Sequence, residues 1–226
     1  MTGPAVPSPV AVEIAAQTAG GPTVRGLHWE WPGSDLSMVF VHAPGRDLDD
    51  LRWLADLMVT GGISVLAIDL PGHGLSDGDD LVPEQGIAAI RAALATLGRD
   101  SAGVTAVLAE GESAGLLLQT ELAATDEPPV GVTLLNPWPL PEGQLCHPSW
   151  RLVPKLLLVP AGAGHPEFAA RVVDATNAWT LQADLHGFAG PRPTESAAIQ
   201  IASLTQKFVL EVAAYELAGR RAAGSP

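Results

Sequence analysis

Short apolar runs alternate with amphipathic segments along most of this chain. Continuous apolar runs predict strands that are buried on both faces, and they read "LSMVFVHAPG", "ISVLAIDLPGHG", "GVTAVLAEG", "VGVTLLNP" and "VPKLLLVPAG". Apolar residues at helical spacing predict helices between these strands, in "LDDLRWLADLMVTGG", "PEQGIAAIRAALATLG" and "SAGLLLQTELAATD". The alternation therefore predicts an α/β fold, with a mainly parallel central sheet and helices on both faces.

The two ends of the chain extend this pattern. The segments "VAVEIAAQ" and "TVRGLHWEW" flank "TAGGP" and predict an N-terminal antiparallel hairpin. Near the other end we expect a short helix, a last strand and a long final helix, in "PEFAARVVDAT", "AWTLQAD" and "TESAAIQIASLTQKFVLEVAAYELAG". We therefore expect a single domain over residues 1–226, with flexible ends at 1–9 and 221–226.

Composition narrows the classes of function. The chain of 226 residues is 47% hydrophobic, which is enough for a substantial core. Its formal net charge of −13 disfavours nucleic acid as a partner. Cys146 is the one cysteine, so an intrachain disulfide is excluded and a reducing compartment is favoured. Because we find no signal peptide and no apolar run of about 20 residues, we expect a cytoplasmic protein without a membrane partner.

The stretch "AVLAEGESAG" carries the strongest chemical signal. It places Ser113 where a buried strand is expected to end and a helix to begin. Gly111 and Gly115 flank the serine and allow a sharp turn, and the backbone N–H of Ala114 is then available to a developing oxyanion. A G-x-S-x-G pattern in this context predicts a nucleophile elbow. The alternative is an ordinary glycine-rich turn.

At this point the sequence resembles the α/β-hydrolase fold family, from about residue 10 to 220. Three segments carry the resemblance. "FVHAPG" is similar to the first oxyanion loop of the family, "AIDLPGHGLSDG" to its Asp-x-Pro-Gly-His-Gly-x-Ser segment, and "AEGESAG" to its nucleophile elbow. In the family, the histidine at the position of His73 supports the loop and is not catalytic.

The resemblance implies a base and an acid for Ser113. His186, in "LQADLHGFAG", follows the last predicted strand and comes after the serine, as the family's base does. The family's acid follows the strand that "PKLLLVPAG" resembles, where the nearest carboxylate here is Glu167. Asn136 and Glu142 mark a second place where some members keep the acid, and a site without any acid remains open.

The oxyanion loop departs from the family pattern. The family's usual wording is His-Gly-x, and the N–H of x binds the oxyanion, but this chain reads His42-Ala43-Pro44-Gly45. Pro44 has no N–H to give, and the loss of one donor is worth roughly 3 kcal/mol in acyl transfer. The remaining candidate donors are the N–H groups of Ala43, Gly45 and Ala114.

The segment "PWPLPEGQLCHPSWRLVP" (137–154) stands where many relatives carry a helical cap. It is short and rich in proline, so we expect no separate cap domain and a shallow site. Trp138 and Trp150 are candidate walls of that site, with packing against the loop's own prolines as the alternative. An open site admits a small-molecule acyl substrate, including one that is bound to a carrier.

These signals predict a serine hydrolase that acts on an ester or thioester through a Ser113 acyl-enzyme. His186 is the expected base and Glu167 orients it. The alternative is a non-hydrolytic protein of the same fold (a cyclase, a lyase or a small-molecule binding protein) that lacks a complete triad and oxyanion hole. No metal-ligand spacing and no nucleotide loop is apparent, so we expect neither a metal nor a cofactor. The substrate and the oligomeric state stay open.

Overall fold

The computed structural model describes residues 5–15, 21–100, 103–121, 128–139, 146–161, 166–175, 180–186, 188 and 193–223. Eight strands form one sheet in the order β1-β2-β4-β3-β5-β6-β7-β8. The strands are β1 (Val10–Ile14), β2 (Val24–Trp29), β3 (Leu36–Val41), β4 (Ser64–Ile68), β5 (Val104–Glu110), β6 (Val132–Leu135), β7 (Lys155–Pro160) and β8 (Thr180–Leu185). Strands β1 and β2 form the predicted antiparallel hairpin, β2 also pairs antiparallel with β4, and the other pairings are parallel.

Helices cover both faces of the sheet, as predicted. They are α1 (Arg52–Thr60), α2 (Pro83–Asp100), α3 (Glu112–Gln119), α4 (Pro166–Ala175) and α5 (Glu195–Ala222). Side chains alternate between the faces along each strand. On β3, Val39 therefore joins the apolar cluster under α2, α3 and α4, while Phe40 joins the cluster under α1 and α5. None of the helices in the described ranges is long and apolar enough to cross a bilayer.

The carboxyl ends of the central strands bring three loops together. Val41 of β3 pairs with Ala109 of β5, and Glu110 of β5 pairs with Leu135 of β6. The residues that follow these strands therefore meet at one edge of the sheet, which is where ligands bind in open α/β sheets. This edge holds the segment from His42 onward, the turn after Glu110, and Asn136.

The first residue of β7, Lys155, is a buried lysine at the amino end of that strand. Lys155 is fully buried, and its Nζ donates hydrogen bonds to the backbone carbonyls of Trp150 and Val153. Burial lowers the pKa of this ammonium group to about 8. The nearby thiol of Cys146 is also buried, and burial raises its pKa. Sequence reasoning did not single out Lys155.

The segment 137–154, which stands where many relatives carry a cap, is described in part. Residues 140–145 lie outside the described residues, as does Glu142 among them. The described remainder contains one short 3-10 turn at Pro148–Trp150, which starts with the His147 ring accepting a hydrogen bond from the Ser149 N–H. The predicted flexible ends fall partly on residues 1–4 and 224–226, which also lie outside the described residues.

Candidate functional site

The sharp turn after β5 is made by Gly111. Its backbone has φ 60° and ψ −133°, and it stands between the last residue of β5, Glu110, and the first residue of α3, Glu112. Residues with a side chain rarely adopt this conformation. A Cβ atom at this position would lie 2.9 Å from the Cβ of Ala43. Both the backbone and the space around it therefore favour glycine at the apex of the turn.

Ser113 lies inside the first turn of α3 and not at the apex. Its side chain is fully buried, and its Oγ donates a 2.6 Å hydrogen bond to the carbonyl of His42. A hydroxyl has one proton to donate, and here that proton is committed. Ser113 is thus presented at the N-terminal end of α3, as predicted, while the apex of the turn is Gly111.

The three predicted oxyanion donors are all engaged within the protein. The N–H of Ala114 donates to the carbonyl of Gly111 at 3.2 Å, and the N–H of Gly45 donates to Nε2 of His73 at 2.8 Å. The N–H of Ala43 faces the carboxylate of Glu110 and lowers its pKa. Because these N–H groups have partners within the protein and Pro44 has no N–H, an oxyanion hole at Ala43, Gly45 and Ala114 stays a prediction.

His42 and His73 hold the loops together as neutral side chains. Nε2 of the buried His42 accepts a hydrogen bond from the Leu70 N–H at 2.9 Å, so Nδ1 carries the proton and donates to the carbonyl of Ala43 at 2.8 Å. Burial lowers the pKa of His42, which favours this neutral form. His73 accepts from Gly45, and its Nδ1 donates to the Pro71 carbonyl at 3.0 Å. The supporting role that the resemblance implies for His73 agrees with these contacts.

The structure does not join Ser113 to the predicted base. His186 is exposed and directly follows β8, the last strand of the sheet. Because β6 and β7 lie between β5 and β8, the ends of these two strands are about 14 Å apart at ordinary strand spacing. Glu167 is exposed in the first turn of α4. The triad of Ser113, His186 and Glu167 therefore stays a prediction. The Ser113 hydroxyl donates to the His42 carbonyl and not to His186.

A buried carboxylate lies beside the glycine turn. Glu110 is 2% exposed, and its Oε1 accepts a 2.8 Å ion-pair hydrogen bond from Nη1 of Arg46. Burial raises the pKa of Glu110, while the charge of Arg46 opposes that rise. The second oxygen, Oε2, is buried and has no hydrogen-bond partner among the described residues. Burying a carboxylate oxygen without a hydrogen bond costs free energy, and the Ala43 N–H faces this carboxylate.

Asn136 supplies a second unpartnered acceptor next to this carboxylate. It directly follows β6 and has a φ of 46°, and its Oδ1 is buried without a hydrogen-bond partner in the described part of the chain. Glu110 and Asn136 line the same cavity of about 190 Å³, and its other lining residues are Ala43, Pro44, Arg46, Gly111, Glu112 and Trp138.

The two candidate tryptophans have different surroundings. Trp138 lines the cavity, is 40% exposed, and donates its backbone N–H to the carbonyl of Gly111 at 3.0 Å. Trp150 is fully buried, and its indole N–H donates to the carbonyl of Thr120 at 2.7 Å. The prediction that Trp150 forms a wall of the site is therefore wrong, because this side chain is part of the core.

Sequence reasoning missed Arg46 and Glu110. A usable signal was present, since Glu110 is an acidic residue at the end of a strand that was predicted to be buried. Charged side chains are rarely buried unless they are paired, so such a residue indicates a partner and a special environment. Among the described residues, no group of three or more His, Cys, Asp and Glu side chains is arranged to hold a metal ion.

Comparison with known proteins gives the fold its name. No protein-family model matches the sequence, and no curated protein matches it. Solved structures do match. A dienelactone hydrolase from Anabaena variabilis superposes with a TM-score of 0.72 at 14% identity, covering 92% of this chain and 99% of that one. An esterase from Pyrococcus furiosus gives 0.70 at 16% identity, covering 90% of each chain.

A third structure carries the fold in its name. The alpha/beta hydrolase GrgF from a Penicillium species superposes with a TM-score of 0.72 at 13% identity, covering 92% of this chain and 99% of that one. The likeness spans almost the whole chain in each case. The protein therefore has the α/β-hydrolase fold, as the resemblance in its sequence implied.

Proposed function

We propose that this protein is a hydrolase of the α/β-hydrolase fold that activates water with Glu110 and forms no serine acyl-enzyme. The observation that carries the proposal is the buried carboxylate of Glu110, a residue that lines a cavity beside the turn whose apex is Gly111. A carboxylate whose pKa is raised by burial is suited to general-base catalysis. The ion pair with Arg46 fixes the orientation of the carboxylate.

In this mechanism a water molecule in the cavity attacks the carbonyl carbon of a small ester. The Glu110 carboxylate takes a proton from the water as the new C–O bond forms. The proton then passes to the alkoxide as the ester C–O bond breaks, which yields an acid and an alcohol. Glu112 begins α3 and lines the cavity, so the positive end of the helix dipole lies beside it and favours negative charge on the substrate oxygen.

Ester hydrolysis is the reaction class that the neighbours' names favour. The fold is shared with proteins that are named a dienelactone hydrolase and an esterase. The cavity of about 190 Å³ favours a small acyl group. We also propose that the substrate is a small molecule and that the protein acts in the cytoplasm.

The test compares wild type with Glu110→Gln on p-nitrophenyl acetate, with Glu112→Gln as the matched control at the rim of the same cavity. We expect Glu110→Gln to lower kcat/KM by about 10²- to 10⁴-fold, the usual worth of a general base. Glu112→Gln should change it by less than about threefold. In wild type, activity should fall as Glu110 is protonated, at a pH above the ordinary range for glutamate, because burial raises its pKa. Equal rates for the two variants would overturn the proposal.

A second candidate is the predicted serine hydrolase with Ser113, His186 and Glu167, acting on an ester or on a carrier-bound thioester. The G-x-S-x-G pattern favours it. It requires the Ser113 hydroxyl to leave the His42 carbonyl and reach an imidazole. Labelling with a fluorophosphonate probe separates the two candidates by intact mass. Labelling that is lost in Ser113→Ala would select the serine mechanism, and a correctly folded wild type without labelling would exclude it.

The non-hydrolytic alternative predicted from the sequence uses the same cavity. The occupied donors of Ala43, Gly45 and Ala114 favour it, since they leave little to stabilise an oxyanion. Ligand binding without turnover of any ester would select this alternative.

A further inference from the structure

We infer that a second cavity, beside the N-terminal hairpin, binds a small apolar molecule that carries one positive charge, such as an arylalkyl amine. This cavity has a volume of about 470 Å³, and its lining comes from β1, β2 and the segments that follow β3 and β4. Among the described residues, it shares no lining residue with the cavity beside Glu110. The inference therefore goes beyond the proposed hydrolysis and does not rest on it.

The walls of the hairpin cavity are mostly apolar. Its apolar side chains belong to Ala11, Val12, Leu27, Leu48 and Leu75. A cavity of a few hundred Å³ with mostly apolar walls and a few polar groups is the usual form of a small-molecule site. The volume equals roughly sixteen water molecules of liquid volume, which is enough for a bicyclic ring with a short side chain.

Two charged side chains hold these walls in place. Asp69 is buried, and its two oxygens accept hydrogen bonds of 2.9 Å from the backbone N–H groups of Leu48 and Leu75. The loop after β4 also passes close to this carboxylate, because a Cβ atom at Gly74 would clash with it. Nη1 of Arg25 donates to the carbonyl of Leu75 at 2.6 Å and so joins β2 to the same loop. The cavity therefore has its shape before a ligand binds.

The charges around the hairpin cavity favour a cation. Its carboxylates belong to Glu13, Asp47, Asp49 and Asp69. Arg25 is the one cation of the lining, which leaves four carboxylates against one guanidinium and a formal net charge of −3. That guanidinium already donates to Glu13 and Asp77, so its charge is compensated within the protein. A positively charged ligand therefore gains from the field of the carboxylates, while an anion is repelled.

The test measures the binding of three naphthalene derivatives to the whole protein by ligand-observed NMR titration at neutral pH. They share one bicyclic ring and differ in charge, being 1-naphthylmethylamine (a cation), 1-naphthalenemethanol (neutral) and 1-naphthoate (an anion). We expect the amine to bind about tenfold more tightly than the anion, with the alcohol between them. No binding of the amine, or an anion that binds as tightly as the amine, would overturn the inference.

A first pair of variants locates the charge of the ligand. Asp49→Asn removes one carboxylate from the lining, and we expect it to weaken binding of the amine about two- to fourfold while leaving the alcohol unchanged. Asp56→Asn is the matched control, because Asp56 is an exposed residue of α1 outside the lining. It removes the same charge from the protein and should leave amine binding unchanged. Equal effects of the two variants would show a general attraction of the acidic surface for cations and would contradict the site.

A second pair of variants locates the apolar part of the ligand. Leu75→Ser removes a lining side chain that is 76% exposed, and we expect it to weaken binding of both the amine and the alcohol about fivefold. Leu57→Ser is the matched control, because Leu57 is an exposed leucine of α1 outside the lining. It should leave both affinities unchanged. Affinities in Leu75→Ser that equal those of wild type would overturn the placement of the ligand in this cavity.

Discussion

Replacing Ser113 with alanine tests where this serine lies. In the structure the substitution removes a hydroxyl that is fully buried and donates to the His42 carbonyl at 2.6 Å. That bond connects the first turn of α3 to the residue that follows β3, 71 positions earlier in the chain. We therefore expect the Ser113 hydroxyl to contribute to the free energy of unfolding.

The size of the effect follows from the burial of both partners. A neutral hydrogen bond contributes about 1 kcal/mol net, and a buried acceptor that is left without its donor costs about 1–3 kcal/mol. Alanine fits the space of serine, so no repacking cost adds to these terms. We expect Ser113→Ala to lower the free energy of unfolding by about 1–2 kcal/mol, which lowers the Tm of a chain of this size by roughly 2–8 °C.

The measurement is urea unfolding followed by far-UV circular dichroism, with the midpoint compared at equal slope. Ser196→Ala is the matched control, because Ser196 is exposed in the first turn of α5. We expect this control to stay within about 0.5 kcal/mol of wild type. A Ser113→Ala variant that is as stable as the control would refute the buried placement of the hydroxyl. If that variant also lost fluorophosphonate labelling, the serine would be a nucleophile.

Two further predictions concern backbone strain and buried charge. Gly111→Ala should lower the free energy of unfolding by about 1–3 kcal/mol, because φ is positive and the added Cβ meets Ala43 at 2.9 Å. Gly98→Ala, a helical position with open space around it, should leave stability equal or higher in the same urea titration. Burial lowers the pKa of Lys155 from 10.5 to about 8. Between these pH values the unfolded state binds more protons than the folded state, so the free energy of unfolding should rise by about 3 kcal/mol across that window. Lys155→Met should remove this rise, and an unchanged pH profile of unfolding would contradict the buried ammonium.

The fold was accessible from the sequence because burial on both faces of a parallel sheet leaves an unmistakable pattern. Each apolar run became a strand, and the helices began and ended close to the predicted residues except α3, which ends at Gln119, well inside its predicted segment. These patterns depend on many residues at once, so one ambiguous position does not change them.

The site was harder to predict, because the apex of the turn is Gly111, two residues before the serine of the G-x-S-x-G pattern. The segments Ala109–Ser113 and Gly111–Gly115 both have small residues at their two ends, so either one fits a sharp turn by composition. Hydrogen bonding decides between them, since Glu110 still pairs with Leu135 and α3 already begins at Glu112. The bonds of the β5–β6 ladder join residues that are distant in the sequence, so a local motif does not show where the strand ends.

The close approach of Ala43 and Gly111 couples the side chains that these two positions tolerate. A Cβ atom at residue 111 would lie 2.9 Å from the methyl group of Ala43, so side chains at both positions strain the present backbone. Ala43→Gly opens this space, so Gly111→Ser should cost less stability in an Ala43→Gly background than in wild type. The residue at position 43 therefore sets how easily the turn accepts a nucleophile, although its backbone already has the shape of an elbow.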